Sequence, residues 1–139
     1  MQFIHPIQRA THRIGLYLDN LGEQHLTQGE AHILALLAES SPMTVAELHR
    51  GLAHKRSTLT SILDRLVERK LITRKVGESD RRTFVVSLTA PGRKVAGRVH
   101  AHLTELEKAV SRQVSGSAVK GFNTVVAALE EKAHSRGGE

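Results

Sequence analysis

The 139-residue chain has no cysteine. That absence removes disulfides, thiolate nucleophiles and cysteine-based redox switching together. Tryptophan is missing as well. One tyrosine and three phenylalanines leave few of the aromatic anchors that protein-docking surfaces concentrate. No apolar run approaches the roughly 20 residues that a membrane-spanning helix needs, so no membrane partner is expected. A basic-then-apolar leader is not seen at the N-terminus, which makes the cytoplasm the expected compartment. Gly51 and Gly77 stand isolated, while Gly92 and Gly97 fall within a helical pattern, so nothing resembles a phosphate-cradling loop. Serines, histidines and aspartates occur without elbow or triad spacing. No catalytic residue, no cofactor and no enzyme activity are expected.

What the chain does have is an ordinary globular balance, 40% hydrophobic and 24% charged residues, in a length that suits one domain. The formal net charge is +6, unevenly placed. Residues 50–98 hold 13 of the 20 Lys+Arg and only four acids, a net of +9, whereas the flanking segments hold seven basic and ten acidic residues, a net of −3. Solubility alone does not confine an excess of one sign to a contiguous stretch. A polyanion facing the middle of the chain does.

Local patterns supply the elements. Phe3 to Gly22 spaces Ile4, Ile7, Ile14, Leu18 and Leu21 in near-helical fashion, with Pro6 close to the start. Thr27-Gln28-Gly29-Glu30 reads as a capping box opening a helix through Ile33, Leu34 and Leu37, which Ser40-Ser41-Pro42 ends. Thr44-Val45-Ala46-Glu47 reads as a second box before a short helix. After a turn near Ala53-His54, a helix is expected from about Arg56 to Arg69. Its stripe Leu59, Ile62, Leu63 and Leu66 must face inward, leaving Ser57, Thr58, Thr60, Ser61, Asp64 and Arg65 outside. Small hydroxyl residues are middling helix formers, so their concentration there is not a stability choice. Leu71 to Val76 and Thr83 to Leu88 read as a two-stranded hairpin, in which Phe84, Val86 and Leu88 alternate with Thr83, Val85 and Ser87. Gly77 to Arg82 forms its tip. Thr89 is a candidate N-cap, with Pro91 tolerated in the first turn of the helix that follows. That helix places Val95, Val99, Leu103, Leu106, Val110 and Val114 along one stripe. After Ser115-Gly116-Ser117, a last helix carries Phe122, Val125, Val126 and Leu129.

This order describes a mainly α chain with a small β-hairpin wing: a winged helix-turn-helix core flanked by N- and C-terminal dimerisation helices. The expected boundaries are 26–94 for the core, 1–24 and 90–134 for the flanking helices and 135–139 for a disordered tail, all in one domain. One helix would enter a major groove and the basic hairpin a minor groove of double-stranded DNA. The long terminal stripes have little to cover them in a single copy, which points to a homodimer; packing of the first helix on the last within one chain is the other option. A winged-helix module that binds protein without an operator is the alternative function. It would want apolar anchors on the helix face that here carries hydroxyls. Nine histidines raise the question of a metal. His100 and His102 point to different sides of a helix, and His12, His25 and His32 lie on separate segments, so surface or pocket roles are expected and no metal site is.

Leu26-Thr27 with Glu30, Thr44-Val45-Ala46-Glu47-Leu48, Ser57-Thr58-Leu59-Thr60 with Leu63-Asp64-Arg65-Leu66, and Asp80-Arg81-Arg82 followed by Leu88-Thr89 together resemble the MarR family of bacterial transcriptional regulators, from about residue 26 to residue 94. The resemblance implies a homodimeric repressor on palindromic operators, released in many members by a small anionic or phenolic effector. It puts Ser57, Thr58, Thr60, Ser61 and Arg65 on base- and phosphate-contacting positions. Arg82 falls on the wing arginine and Asp80 on the acid that orients it. Lys55, Arg56, Arg74 and Arg81 complete the candidate DNA-contacting set. An effector would lie where the first two helices meet the helix-turn-helix and the dimer region, with His12, Leu16, Tyr17 and His32 as candidates for its wall. Three departures stand out: Ala53 and Lys70 replace the family's usual glycines on either side of the recognition helix, and Ser61 stands where arginine is frequent. A serine cannot make a bidentate contact to guanine.

Overall fold

The structure, a computed structural model, describes residues 1–20 and 25–137. Helix α1 spans Ile4–Asp19 and α2 spans Gln28–Ser40. A two-residue strand β1, Met43–Thr44, leads into α3, Val45–Leu52, and then α4, Arg56–Glu68. Strands β2, Ile72–Val76, and β3, Phe84–Leu88, precede the long helices α5, Ala90–Ser111, and α6, Gly116–Gly137.

Capping fixes most of these starts. Thr27 and Glu30 form the full reciprocal box at α2, the Glu30 amide donating to Thr27 Oγ1 at 3.2 Å and the Thr27 amide to Glu30 Oε1 at 3.1 Å. At α3 the forward half of the expected box is present, Glu47 N–H to Thr44 Oγ1 at 3.0 Å. Thr89 caps α5 through the Gly92 amide at 3.0 Å. Only glycine fits at position 92, because a Cβ there would run into the Leu71 carbonyl oxygen.

The core lies under α4. Leu59, Ile62, Leu63 and Leu66 are buried against Ile33, Leu34 and Leu37 of α2, Leu48 of α3, Leu71 and Ile72, Val86 of β3 and Val95 and Ala96 of α5. At about 1.5–3 kcal/mol for each large apolar side chain, that stripe fixes which face of α4 looks out. A smaller cluster joins Leu18 of α1 to Ala31, Ala35 and Val99.

Several sequence expectations need correction. The sheet has three strands, in the order β1-β3-β2, because Met43 pairs with Val86 and Thr44 with Val85. Of the alternating β3 positions Val86 is buried, but Phe84 is 48% exposed. Helix α6 continues through residues 135–137, where a disordered tail was expected; residues 138 and 139, like Leu21 and Gly22 of the first segment, lie outside the described residues. Ala53 and Lys70, singled out above by the resemblance, both adopt left-handed backbone, with φ of 56° and 61°. Lys70 is the turning residue of a Schellman end to α4: its N–H reaches Val67 O at 2.9 Å and that of Leu71 reaches Leu66 O at 3.0 Å.

The long apolar stripes stay largely bare. Leu18 is the one buried residue of α1, and Phe3, Ile4, Ile14, Leu16, Val110, Val114, Val119 and Phe122 are exposed. Phe3, Pro6, Ile7 and Ala10 of the N-terminal segment meet Gly121, Phe122 and Val125 of α6 across a shallow groove, so packing of the first helix on the last is partial.

Candidate nucleic-acid interface

With its apolar stripe fixed inward, α4 presents Ser57, Thr58, Thr60, Ser61 and Arg65 to solvent, together with Lys55 and Arg56 at its start. Lys55 occupies the N-cap position and makes no side-chain cap hydrogen bond. The first-turn N–H groups of α4 are therefore left for an external acceptor, and a phosphate suits them. The exposed apolar residue on this helix is Val67, at the far end. The hydroxyl-rich half carries no anchor of the kind a protein partner would fill.

The wing is shaped by one acid. Asp80 Oδ1 accepts from the Arg82 backbone N–H at 3.0 Å and from Arg82 Nε at 3.4 Å, while the Asp80 carbonyl accepts from the Thr83 amide at 3.1 Å and Thr83 Oγ1 at 2.7 Å. The tip thereby closes on Gly77, whose N–H meets the Thr83 carbonyl at 2.9 Å. Despite its contact with Asp80, the Arg82 side chain is 92% exposed. Arg81 is exposed beside it.

Between wing and α4 runs a cleft of about 400 Å³ lined by α3, the start of α4 and the root of β3. Three arginines from three elements border it: Arg50 of α3, Arg56 of α4 and Arg82 of the wing, with Thr44, Thr60 and Thr83 supplying hydroxyls. Residues that touch a major groove and a minor groove must straddle a sugar-phosphate strand, and this cleft lies between the wing and the outer face of α4. Arg50 and His49 were not among the sequence candidates. Arg50 opens the basic stretch, but the single apolar face of a short helix gives no sign that its outer side borders a cleft.

Besides Arg82, three basic residues in that stretch make side-chain hydrogen bonds within the fold, Arg93 to the Leu88 carbonyl at 3.3 Å and two others to carboxylates. Arg74 Nη2 donates to Asp64 Oδ1 at 2.9 Å, joining β2 to the outer face of α4. Arg69 is bound to Glu30 at 2.9 Å. Desolvation raises the Glu30 pKa, but hydrogen bonds from Thr27 and Arg69 and the charge of Arg69 together hold it below the ordinary carboxylate value.

Of the four candidates for an effector wall, His12, Leu16 and Tyr17 lie on α1 and His32 on α2. His12 and Leu16 share a shallow groove on α1 with His5, Gln8, Arg9 and Arg13. Tyr17 turns to α5 instead, its hydroxyl donating to the His102 carbonyl at 3.3 Å and its ring meeting His102 edge-on at 6.5 Å. His32 lies on α2, where desolvation and then the charge of His54 lower its pKa. Among the described residues no three His, Asp or Glu side chains gather as metal ligands, and no helix is long and apolar enough to cross a membrane.

A three-helix core, a recognition helix with a polar outer face and a basic hairpin define a winged helix-turn-helix protein. The family model for the MarR family matches residues 26–84. The HTH-type transcriptional regulator YpoP of Bacillus subtilis is 32% identical over 88 residues, 63% of this chain and 62% of that protein. The chain thus spans about three-fifths of the length of that relative. Among solved structures, a probable transcriptional regulator from Pseudomonas aeruginosa is 25% identical with a TM-score of 0.67, covering 88% of this chain and 92% of that one. MepR of S. aureus, solved as a DNA complex, shares the fold at a TM-score of 0.78 and 20% identity, covering 94% and 97%. Over residues 26–84 the chain is similar to the MarR family.

Proposed function

We propose that the protein is a sequence-specific DNA-binding transcriptional regulator, a cytoplasmic homodimer that represses from a palindromic duplex operator and is released by a small-molecule effector. The observation that carries this is the cleft: Thr60 of α4 and arginines of α3, α4 and the wing border one cavity of about 400 Å³, beside the exposed hydroxyls of Ser57, Thr58 and Ser61. In the proposed complex residues 56–66 lie in a major groove while Arg81 and Arg82 approach the adjacent minor groove. Lys55, Arg56 and Arg50 meet phosphates. Arg65 and the hydroxyls of Ser57, Thr58, Thr60 and Ser61 meet base edges and the backbone. Arg74 acts through Asp64, holding the outer face of α4 against β2.

The core 26–94 reads DNA, and segments 1–24 and 90–134 pair the two chains. The uncovered residues of α1, α5 and α6 support that division. A two-fold pair sets the recognition helices about 34–36 Å apart, one turn of duplex. An effector site, with His12 and Leu16 on α1, Tyr17 at the α1–α5 junction and His32 on α2, would be completed by the second chain. Selection of binding duplexes from a random pool tests the function directly: recovery of an inverted repeat with half-sites one turn apart is the expected result, and recovery of no enriched sequence contradicts it.

A further inference from the structure

Arg69 sits at the C-cap of α4, inside the stretch whose cations are expected to face a polyanion, yet its guanidinium is turned inward. Its Nη1 donates to Glu30 Oε2 at 2.9 Å and to the His25 carbonyl at 3.0 Å. Glu30 is 3% exposed, the one buried charged side chain among the described residues. Its other oxygen accepts from the Thr27 amide at 3.1 Å. Burying an ion pair is a poor way to add stability, since well-packed apolar side chains of similar volume do as well or better. A satisfied buried pair does fix the geometry of the elements that carry it.

Those elements are the C-terminal end of α4 and the N-terminal end of α2. Helix α2 is packed in turn on the frame, Ala31 and Ala35 meeting Leu18 of α1 and Val99 of α5. A second tie holds the same end of α4 to α5: Thr89 donates through Oγ1 to the Lys70 carbonyl at 2.7 Å and through its amide to Leu71 O at 3.1 Å. The hydroxyl-bearing half, Ser57 to Ser61, lies at the other end of the same helix, seated on the core through Leu59. Over a helix of 13 residues, about 20 Å long, a tilt of about 10° displaces the far end by about 3 Å. That is a whole hydrogen-bond length.

We propose that Arg69 and Glu30 are positioning residues: they set the angle between α4 and the pairing frame, and with it the separation of the two recognition helices, without either side chain touching DNA. This rests on the DNA-binding function proposed above. The test uses the full-length protein and three duplexes: the palindrome selected by the wild type, one of its half-sites, and a scrambled sequence. Failure of the wild type to bind any of them at low salt sinks the DNA-binding function itself, before a variant is compared. With wild-type binding in hand, Arg69→Ala and Glu30→Gln should each weaken palindrome binding on the order of tenfold or more, the scale of a lost base contact. Half-site and scrambled affinities and the salt slope should stay close to wild type, and the double variant should be no worse than the weaker single variant. Circular dichroism confirms folding at the assay temperature; should Arg69→Ala not fold, Arg69→Lys and Glu30→Gln carry the comparison. Equal loss on all three duplexes, with a palindrome salt slope smaller by about two (one contact from each chain), would make Arg69 a phosphate contact and overturn the proposal. Wild-type palindrome affinity in folded variants would overturn it too, leaving the pair a structural one.

Discussion

Single side chains tie this fold to pH in one direction. His32 holds its pKa below 6.5 because desolvation, and then the charge of His54, disfavour the imidazolium. The unfolded chain therefore takes up that proton first, so the stabilisation is complete above about pH 6.5 and is lost as pH falls through the lower folded value. Glu30 behaves alike in a more acidic window. Burial pushes its pKa up, but Thr27 and Arg69 leave it below 4.5, so its contribution is present above about pH 4.5 and is lost beneath the folded value. Urea unfolding across a pH series should show two declines, and His32→Gln should remove the upper one alone; an upper decline that survives in this variant belongs to another group. Backbone strain is equally local. Lys70→Gly relieves a left-handed lysine and should raise stability by about 0.5–1 kcal/mol, net of the extra freedom glycine gives the unfolded chain, as read from thermal unfolding. A lower midpoint would mean that the lysine side chain makes a contact worth more than the strain.

Helices and strands show what the sequence does and does not disclose. The starts of α2, α3 and α5 are legible because Thr27, Thr44 and Thr89 declare themselves by short-range chemistry. The inward stripe of α4 is legible because the 3.6-residue period leaves one solution for Leu59, Ile62, Leu63 and Leu66. Strand β1 is not: two residues carry no period, and Met43 becomes a strand only because Val86 lies beside it. Charge counting sees Arg69 and Arg74 as outward cations, since sequence gives the sign of a side chain but not its direction. Arg50 joins the cleft for the converse reason, that a cleft is made by three elements and no one of them announces it. For the wing, the exposed Arg82 held by Asp80 gives a sharp expectation. Arg82→Ala should weaken binding most for operators whose flanks are A·T-rich, where the minor groove is narrow and its potential strongest. Unchanged affinity and flank preference would place the wing off the DNA.

Assembly governs the rest. One copy leaves Ile14, Leu16, Val110, Val114 and Phe122 exposed on α1, α6 and the stretch from α5 to α6, and the proposed second copy would cover them with the same stripe. In the proposed pair, two recognition helices and two wings would lie on one side, and the +9 middle segments would act on the same duplex. Sedimentation at micromolar concentration should find two chains, and replacing Val110 and Val114 with glutamate should give single chains that bind a palindrome no better than its half-site. Retention of the two-chain state in that variant would move the interface elsewhere. The most direct test is the salt dependence of binding to the selected palindrome, followed by fluorescence anisotropy with the stoichiometry counted. Two chains per duplex and a slope near −7 for log affinity against log salt are expected if a pair neutralises about eight phosphates. One chain per duplex, or binding indifferent to salt, would contradict a pair of cationic winged helices straddling the backbone.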